Sequence, residues 1–254
     1  MTITEESWVE YIDDLRKVND TAANQMTAYL EAHPLNTYED VQAAVDYGYA
    51  LATKYGEAAT ELSCQMYDIM AELSGKVLPA AEPAATATIA DVGKTINGIR
   101  KTSDNIEMLS AGIARLVKMA AVDTTMQNAL RDGAEWAWIP HGDTCAFCIA
   151  LASRGWQKAS KNAIKNGHAE HIHANCDCTY AIRFNERTNV AGYQPDKYLS
   201  MYKAEPGSPK TKINAMRRKF YAENSEEINS QKRSAYAKRK ERESSSAEEM
   251  EVNT

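Results

Sequence analysis

Residues 145–178 read CAFCIALASRGWQKASKNAIKNGHAEHIHANCDC, and the interpretation of the whole chain starts from them. They include four of the protein's five cysteines and three of its five histidines. Thiolates and imidazoles at this density are typical of a Zn²⁺ site, in which two short pairs of ligands complete a tetrahedron. The sequence therefore predicts a zinc site that joins the two ends of this stretch.

Five residues are candidate zinc ligands: Cys145, Cys148, His173, Cys176 and Cys178. The first two are spaced as a knuckle, in which both sulfurs face one metal. Cys176 and Cys178 face the same side of an extended segment, while His173 approaches from the preceding turn. A closed structural site takes four protein ligands, whereas a catalytic site leaves one position open to water. Five donors favour a closed structural site, and the pattern leaves open which four of them bind.

The order of these residues is also informative, because Asp143-x-Cys145-x-x-Cys148 is followed by HANCDC at 173–178. Residues 131–187 resemble the Mu F-like minor capsid proteins, the phage head-morphogenesis family, whose module typically ends in His-Pro-Asn-Cys-Arg-Cys. Ala174 replaces the proline and Asp177 replaces the arginine, and neither change removes a metal ligand.

The resemblance implies a phage minor structural protein that is present at low copy in the virion head, after assembly in the cytoplasm of a bacterial host. It implies the portal protein, the major capsid protein or both as partners. The expected role is to assist head assembly or DNA delivery.

Composition is consistent with such a protein. The chain has a net charge of −6, with 44% hydrophobic and 25% charged residues, which is ordinary for a soluble protein. We expect no membrane association, because the sequence has no long apolar run.

The acidic N-terminus does not resemble a signal peptide, so we expect the thiols to be reduced. Reduced cysteines at this density favour metal binding over disulfides. Cys64 lies among apolar residues and is interpreted as a buried structural thiol.

Residues 1–130 are predicted to form long helical hairpins that serve as a docking region. Apolar residues recur there at helical spacing, and capping or turn residues separate the helical segments. Two prolines and many small residues predict a linker or hinge at 78–88. The predicted helices span 4–32, 37–74, 89–100 and 105–122.

Residues 131–195 are predicted to form a small α+β module that is held together by zinc. We expect strands at 136–139 and 176–184, with a short helix at 145–153 between them. Trp136, Trp138 and Trp156 are expected to cover the metal. Because the region has few apolar residues, we expect the metal to supply much of its folding free energy.

Residues 196–254 are predicted to contain a basic amphipathic helix at 210–221, followed by a charged, partly disordered tail. The basic helix is a candidate contact for packaged DNA. The predicted fold class is mainly α, with the helical region, the zinc-stapled module and the tail in that order.

A zinc-dependent nucleic-acid enzyme, or a toxin-like effector of a mobile element, is the alternative function. In such an enzyme a histidine activates water and a metal stabilises the phosphate. No Asn-His motif follows Cys178, and the predicted zinc uses the cluster's own donors. A deaminase is excluded because its His-x-Glu precedes Pro-Cys-x-x-Cys, and the order here is reversed. We therefore predict no catalytic residue.

Overall fold

The computed structural model describes residues 2–103, 105–141, 144–160 and 178–226, together with 229–230, 233 and 237. Within these residues the protein is mainly α-helical and contains two small sheets, so the coarser part of the predicted fold class is confirmed. The chain forms two compact units, Met1–Ser200 and Met201–Thr254.

The first unit begins with two long helices, α1 at Glu5–Ala32 and α2 at Tyr38–Leu73. Thr4 caps α1, since its hydroxyl accepts the N–H of Ser7 at 3.1 Å. Thr37 and Asp40 form a capping box at the start of α2, in which each side chain accepts an N–H from the other residue. Both predicted helices are confirmed.

An irregular segment follows α2 and is bound along α4, the long helix at Ile106–Asp132. The amide of Asn128 donates to the Glu82 carbonyl at 2.8 Å and accepts the Glu82 N–H at 2.9 Å. The Thr124 hydroxyl accepts the N–H of Ala84 at 3.0 Å. The predicted linker is thus irregular, and α4 satisfies several of its backbone polar groups. The segment leads into α3, at Ile89–Arg100.

Helix α4 is ten residues longer at its C-terminal end than the predicted helix at 105–122. Buried Thr124, Thr125 and Asn128 interrupt its apolar pattern, which is why the prediction stopped early. Each of these side chains donates a hydrogen bond to a carbonyl one turn earlier in the helix. The helix therefore continues until Gly133, whose φ of 69° ends it.

A three-stranded antiparallel sheet follows, with β2 (Glu135–Ile139) at its centre and β3 (Gln157–Lys158) and β4 (Thr179–Arg183) at its edges. Ile139 at the end of β2 is opposite Thr179 at the start of β4. A separate parallel pair joins β1 (Thr2–Ile3) to β5 (Asn189–Val190). The first unit also contains α5 at Ala146–Ala152 and the start of α6 at Pro195–Ala204.

The sheet and the long helices share one hydrophobic core. Trp138 and Tyr180 are 1% and 2% exposed, and their ring centroids are 4.6 Å apart. The strands contact α2 and α4 as well as α5, so side chains on both of their faces are buried. The described part of residues 131–195 therefore buries more apolar side chains than the sequence suggested, and the contribution of a metal to its folding free energy stays a prediction. The predicted boundary between residues 130 and 131 stays a prediction.

The second unit contains α7, at Pro209–Glu223, which confirms the predicted basic helix. Ser208 caps it and Pro209 occupies its first turn. Lys212 donates to the Glu205 carbonyl, and Lys219 pairs with the Glu205 carboxylate. The predicted disordered tail beyond residue 231 lies outside the described residues, apart from 233 and 237.

The close packing of α3 against α4 gives a testable difference between two glycines. A Cβ at Gly112 would lie 2.8 Å from Thr95 Cγ2 and 2.9 Å from Ile99 Cδ1, whereas a Cβ at Gly98 meets nothing within 4 Å. We expect Gly112→Ala to lower the free energy of unfolding by about 1–3 kcal/mol, because the core is overpacked. We expect Gly98→Ala to raise it by about 0.5–1 kcal/mol. Urea denaturation of both variants checks this, and equal effects would contradict the packing described.

Candidate metal centre

Cys145 and Cys148 lie at the start of α5. Cys145 is the N-cap of this helix, and its Sγ accepts the N–H of Cys148 at 3.5 Å. Cys145 is partly exposed, whereas Cys148 is 1% exposed. An N–H directed at a cysteine sulfur stabilises negative charge on it, as a metal-bound thiolate requires.

Cys178 lies immediately before β4, at the end of the sheet where β2 finishes. Its Sγ accepts the backbone N–H of His141 at 3.4 Å. Because Ile139 is opposite Thr179, the chain that leaves β2 passes Cys178 before it reaches Cys145. The β2–β4 register therefore places Cys178 beside the segment that leads from β2 to α5. The sequence interpretation missed His141 because its contact is made by the backbone.

His173 and Cys176, the other two predicted ligands, lie outside the described residues, so the complete ligand set stays a prediction. Within the described ranges, no three His, Cys, Asp or Glu side chains form a group that could hold a metal ion. Cys145, Cys148 and Cys178 are therefore not gathered into a metal-binding group within the described residues, and the predicted zinc site stays a prediction. No disulfide joins any two of Cys64, Cys145, Cys148 and Cys178. The thiol donors and their N–H contacts fit the chemistry of zinc.

Aromatic side chains pack along the sheet. The Tyr180 ring packs between Trp136 and Trp138, at centroid distances of 4.5 and 4.6 Å. Burial raises the pKa of Tyr180 and nearby Arg154 opposes the shift, while Cys148 adds to it. Trp156 differs, since its Nε1 donates to Asn189 Oδ1 at 3.1 Å. That these tryptophans cover a metal stays a prediction.

A small cavity lies between α1 and α4, beside Cys178. Its volume is about 10 Å³, enough for one water molecule. Its polar lining comes from Arg16, Asn19, Lys118, Cys178 and Thr179. Lys118 is 6% exposed. The sequence interpretation overlooked this lysine, and the available signal was a cation inside the apolar run LVKMAAV at 116–122.

Cys64 lies apart from the other described cysteines, in α2, and is 7% exposed. Burial and then the nearby Glu61 raise the pKa of the Cys64 thiol from 9.0 to about 11. We therefore expect Cys64 to remain protonated in the native protein at pH 8 and to resist iodoacetamide, with full alkylation only after unfolding. Peptide mass mapping of native and denatured samples checks this. Rapid native alkylation of Cys64 would contradict its placement in the core.

Comparison with known proteins identifies the family. A family model described as VG15 protein matches residues 2–205, and the chain belongs to this family. The match supports the coarser prediction of a phage or viral protein. No curated protein and no solved structure matches the chain. None of the helices in the described ranges is long and apolar enough to cross a membrane.

Proposed function

We propose that this member of the VG15 family is a minor structural protein of a phage head. It enters the procapsid at low copy, contacts the portal protein, the major capsid protein or both, and assists head assembly or DNA delivery. The observation that carries the proposal is the family match over residues 2–205, which includes both the long helices and the Cys145-Cys148 pair. The resemblance to the Mu F-like proteins supplies the finer role. The chain acts by binding, without catalytic turnover.

The long helices offer a surface for such contacts. Helix α2 has 36 residues, and a rise of 1.5 Å per residue gives it a length of about 54 Å. Large apolar side chains that are partly or fully exposed in the first unit include Tyr38, Ile69 and Val77. Side chains of this kind add apolar area to a protein–protein interface.

A structural zinc completes the proposal. Its ligands are four of the five candidates Cys145, Cys148, His173, Cys176 and Cys178. The described part of the sheet already has its own core. The zinc therefore fixes the local geometry at the end of the sheet, where it links the start of α5 to the start of β4.

Helix α7 is the proposed contact for packaged DNA. Exposed Lys210, Arg217 and Arg218 form no ion pair within the described part of the chain, whereas Lys212 and Lys219 are bonded to Glu205. We expect the double variant Arg217→Gln/Arg218→Gln to reduce the slope of log DNA affinity against log salt concentration. The reduction should correspond to the loss of roughly two phosphate contacts. The matched control is Lys197→Gln/Lys203→Gln, which removes two cations of α6. Equal effects of the two pairs would contradict a specific role for α7.

The test of the function is mass spectrometry of purified particles from the phage or prophage that encodes the chain. We expect the chain in heads at a small fraction of the major capsid protein's abundance, with crosslinks to that protein or to the portal. Absence from purified particles would refute the structural role. Metal-dependent cleavage of plasmid DNA by the wild-type chain would favour the alternative enzyme.

A further inference from the structure

An open groove lies between α3 and α4 in the first unit and has a volume of about 730 Å³. The α4 residues that line it recur every three or four positions, as one face of a helix does. They are Gly112, Arg115, Leu116, Met119 and Asp123. The face of α3 that contains Lys94 and Gly98 forms the other side, and residues 85–87 of the irregular segment complete the lining. The groove is therefore one continuous surface to which each helix contributes one face.

The floor of the groove is apolar and has little side-chain bulk. Leu116 is 9% exposed, and Met119 is half-buried. A Cβ at Gly98 would meet nothing within 4 Å, so the backbone of α3 is open to close approach by another segment. A helix that lies along the groove would bury the two apolar side chains by the same ridge-and-groove packing that joins helices inside proteins.

A half-buried carboxylate at one end of the groove has no partner of its own. Burial raises the pKa of Asp123. Within the described ranges, its side chain forms no ion pair and no hydrogen bond. A carboxylate that is partly removed from water is stabilised when a cation is placed beside it. The groove therefore offers Asp123 to a basic side chain of its occupant.

Charges of the opposite sign lie further along the groove. Lys94 on α3 and Arg115 on α4 both line it. Arg115 and Asp123 lie on the same face of α4, separated by about 12 Å along its axis at 1.5 Å per residue. This distance equals about two turns of a helix. A helix with an acidic and a basic side chain about two turns apart on one face therefore matches the charges of the groove.

We propose that the groove between α3 and α4 binds an amphipathic helix of the portal protein or the major capsid protein. An acidic side chain of that helix lies beside Lys94 and Arg115, and a basic side chain lies beside Asp123. The apolar side chains between them cover Leu116 and Met119. This inference rests on the proposed function and deepens it, because it names the surface that the head protein contacts and the chemistry of the contacting segment.

Photocrosslinking in assembled heads tests the location of the contact. An aliphatic amino acid that carries a diazirine replaces Met119 at the groove floor, in the full chain expressed by the phage or prophage that encodes it. The matched control carries the same group in place of Ile89, which is 46% exposed and does not line the groove. We expect the crosslinks from position 119 to fall on one helix of the portal or major capsid protein. Mass spectrometry of the crosslinked peptides identifies that helix.

Charge variants test the recognition. We expect Asp123→Asn to lower the crosslink yield from position 119 about tenfold or more. Glu10→Gln, which removes an exposed carboxylate of α1, should leave the yield unchanged. Asp123→Lys should abolish the crosslink, and replacement of the facing basic residue of the head protein by Glu should restore it. Circular dichroism establishes that each variant is folded.

A double-mutant cycle replaces the charge reversal if Asp123→Lys does not fold. In the cycle, Asp123→Asn and neutralisation of the facing basic residue should together cost no more than either change alone.

Three results would overturn the groove contact: crosslinks from position 119 to a second copy of this chain, equal yields from positions 119 and 89, or an unchanged yield in folded Asp123→Asn. Heads that contain the chain but show no crosslink from position 119 would also overturn it, and would leave the proposed function intact. Absence of the wild-type chain from heads would overturn both.

Discussion

Trp138→Ala is expected to lower the free energy of unfolding by about 3–5 kcal/mol, the usual range for removal of a buried large aromatic side chain. Trp138 is 1% exposed and packs against Tyr180 in the core that the sheet shares with the long helices. The loss should be the same with and without zinc, because the tryptophan stabilises the first unit through apolar packing. Urea denaturation under both conditions measures it.

Trp156→Ala is the matched control for this variant. Trp156 is only partly buried, and it bonds Asn189 and lies under the Arg183 guanidinium at 4.7 Å. We expect its removal to cost about 1–2 kcal/mol. A cost below about 1 kcal/mol for Trp138→Ala, or its full recovery on addition of zinc, would mean that the metal and not the shared core stabilises the sheet.

Cys145→Ala is expected to weaken zinc binding by at least about a hundredfold, since a four-ligand site loses one of its thiolates. The change in global stability should be smaller than for Trp138→Ala, because the side chain at the start of α5 is only partly buried. Chelator competition measures the affinity, and denaturation measures the stability.

Cys64→Ala is the control for the cysteine variant, since it removes a thiol of the same type from α2. It should bind zinc as tightly as wild type does. Equal zinc affinity in the Cys145→Ala and wild-type proteins would exclude Cys145 from the ligand set.

Local sequence signals predicted most of the helical framework. Thr4 and the Thr37–Asp40 pair are capping signals that act within one turn, so α1 and α2 followed directly from the sequence. The end of α4 did not, because the buried polar side chains of Thr124 and Asn128 are satisfied partly by a segment some 40 residues earlier in the chain. Such long-range partners leave no periodic signal.

The candidate site was predictable only in part for the same reason. The Cys145-Cys148 spacing is a local pattern, and the structure places both residues at the start of α5. The contact of the His141 N–H with Cys178 depends on the pairing of β2 with β4. The core of the sheet was underestimated because its strands are buried on both faces, where apolar–polar alternation is a poor guide.

Native mass spectrometry of the full chain, purified under reducing conditions with and without a strong chelator, tests the central claim most directly. We expect one Zn²⁺ per chain before chelation, together with protection of the partly exposed Cys145 from alkylation that is lost once the metal is removed. A folded chain that carries no zinc even when the metal is supplied, with Cys145 equally reactive in both samples, would contradict the zinc site.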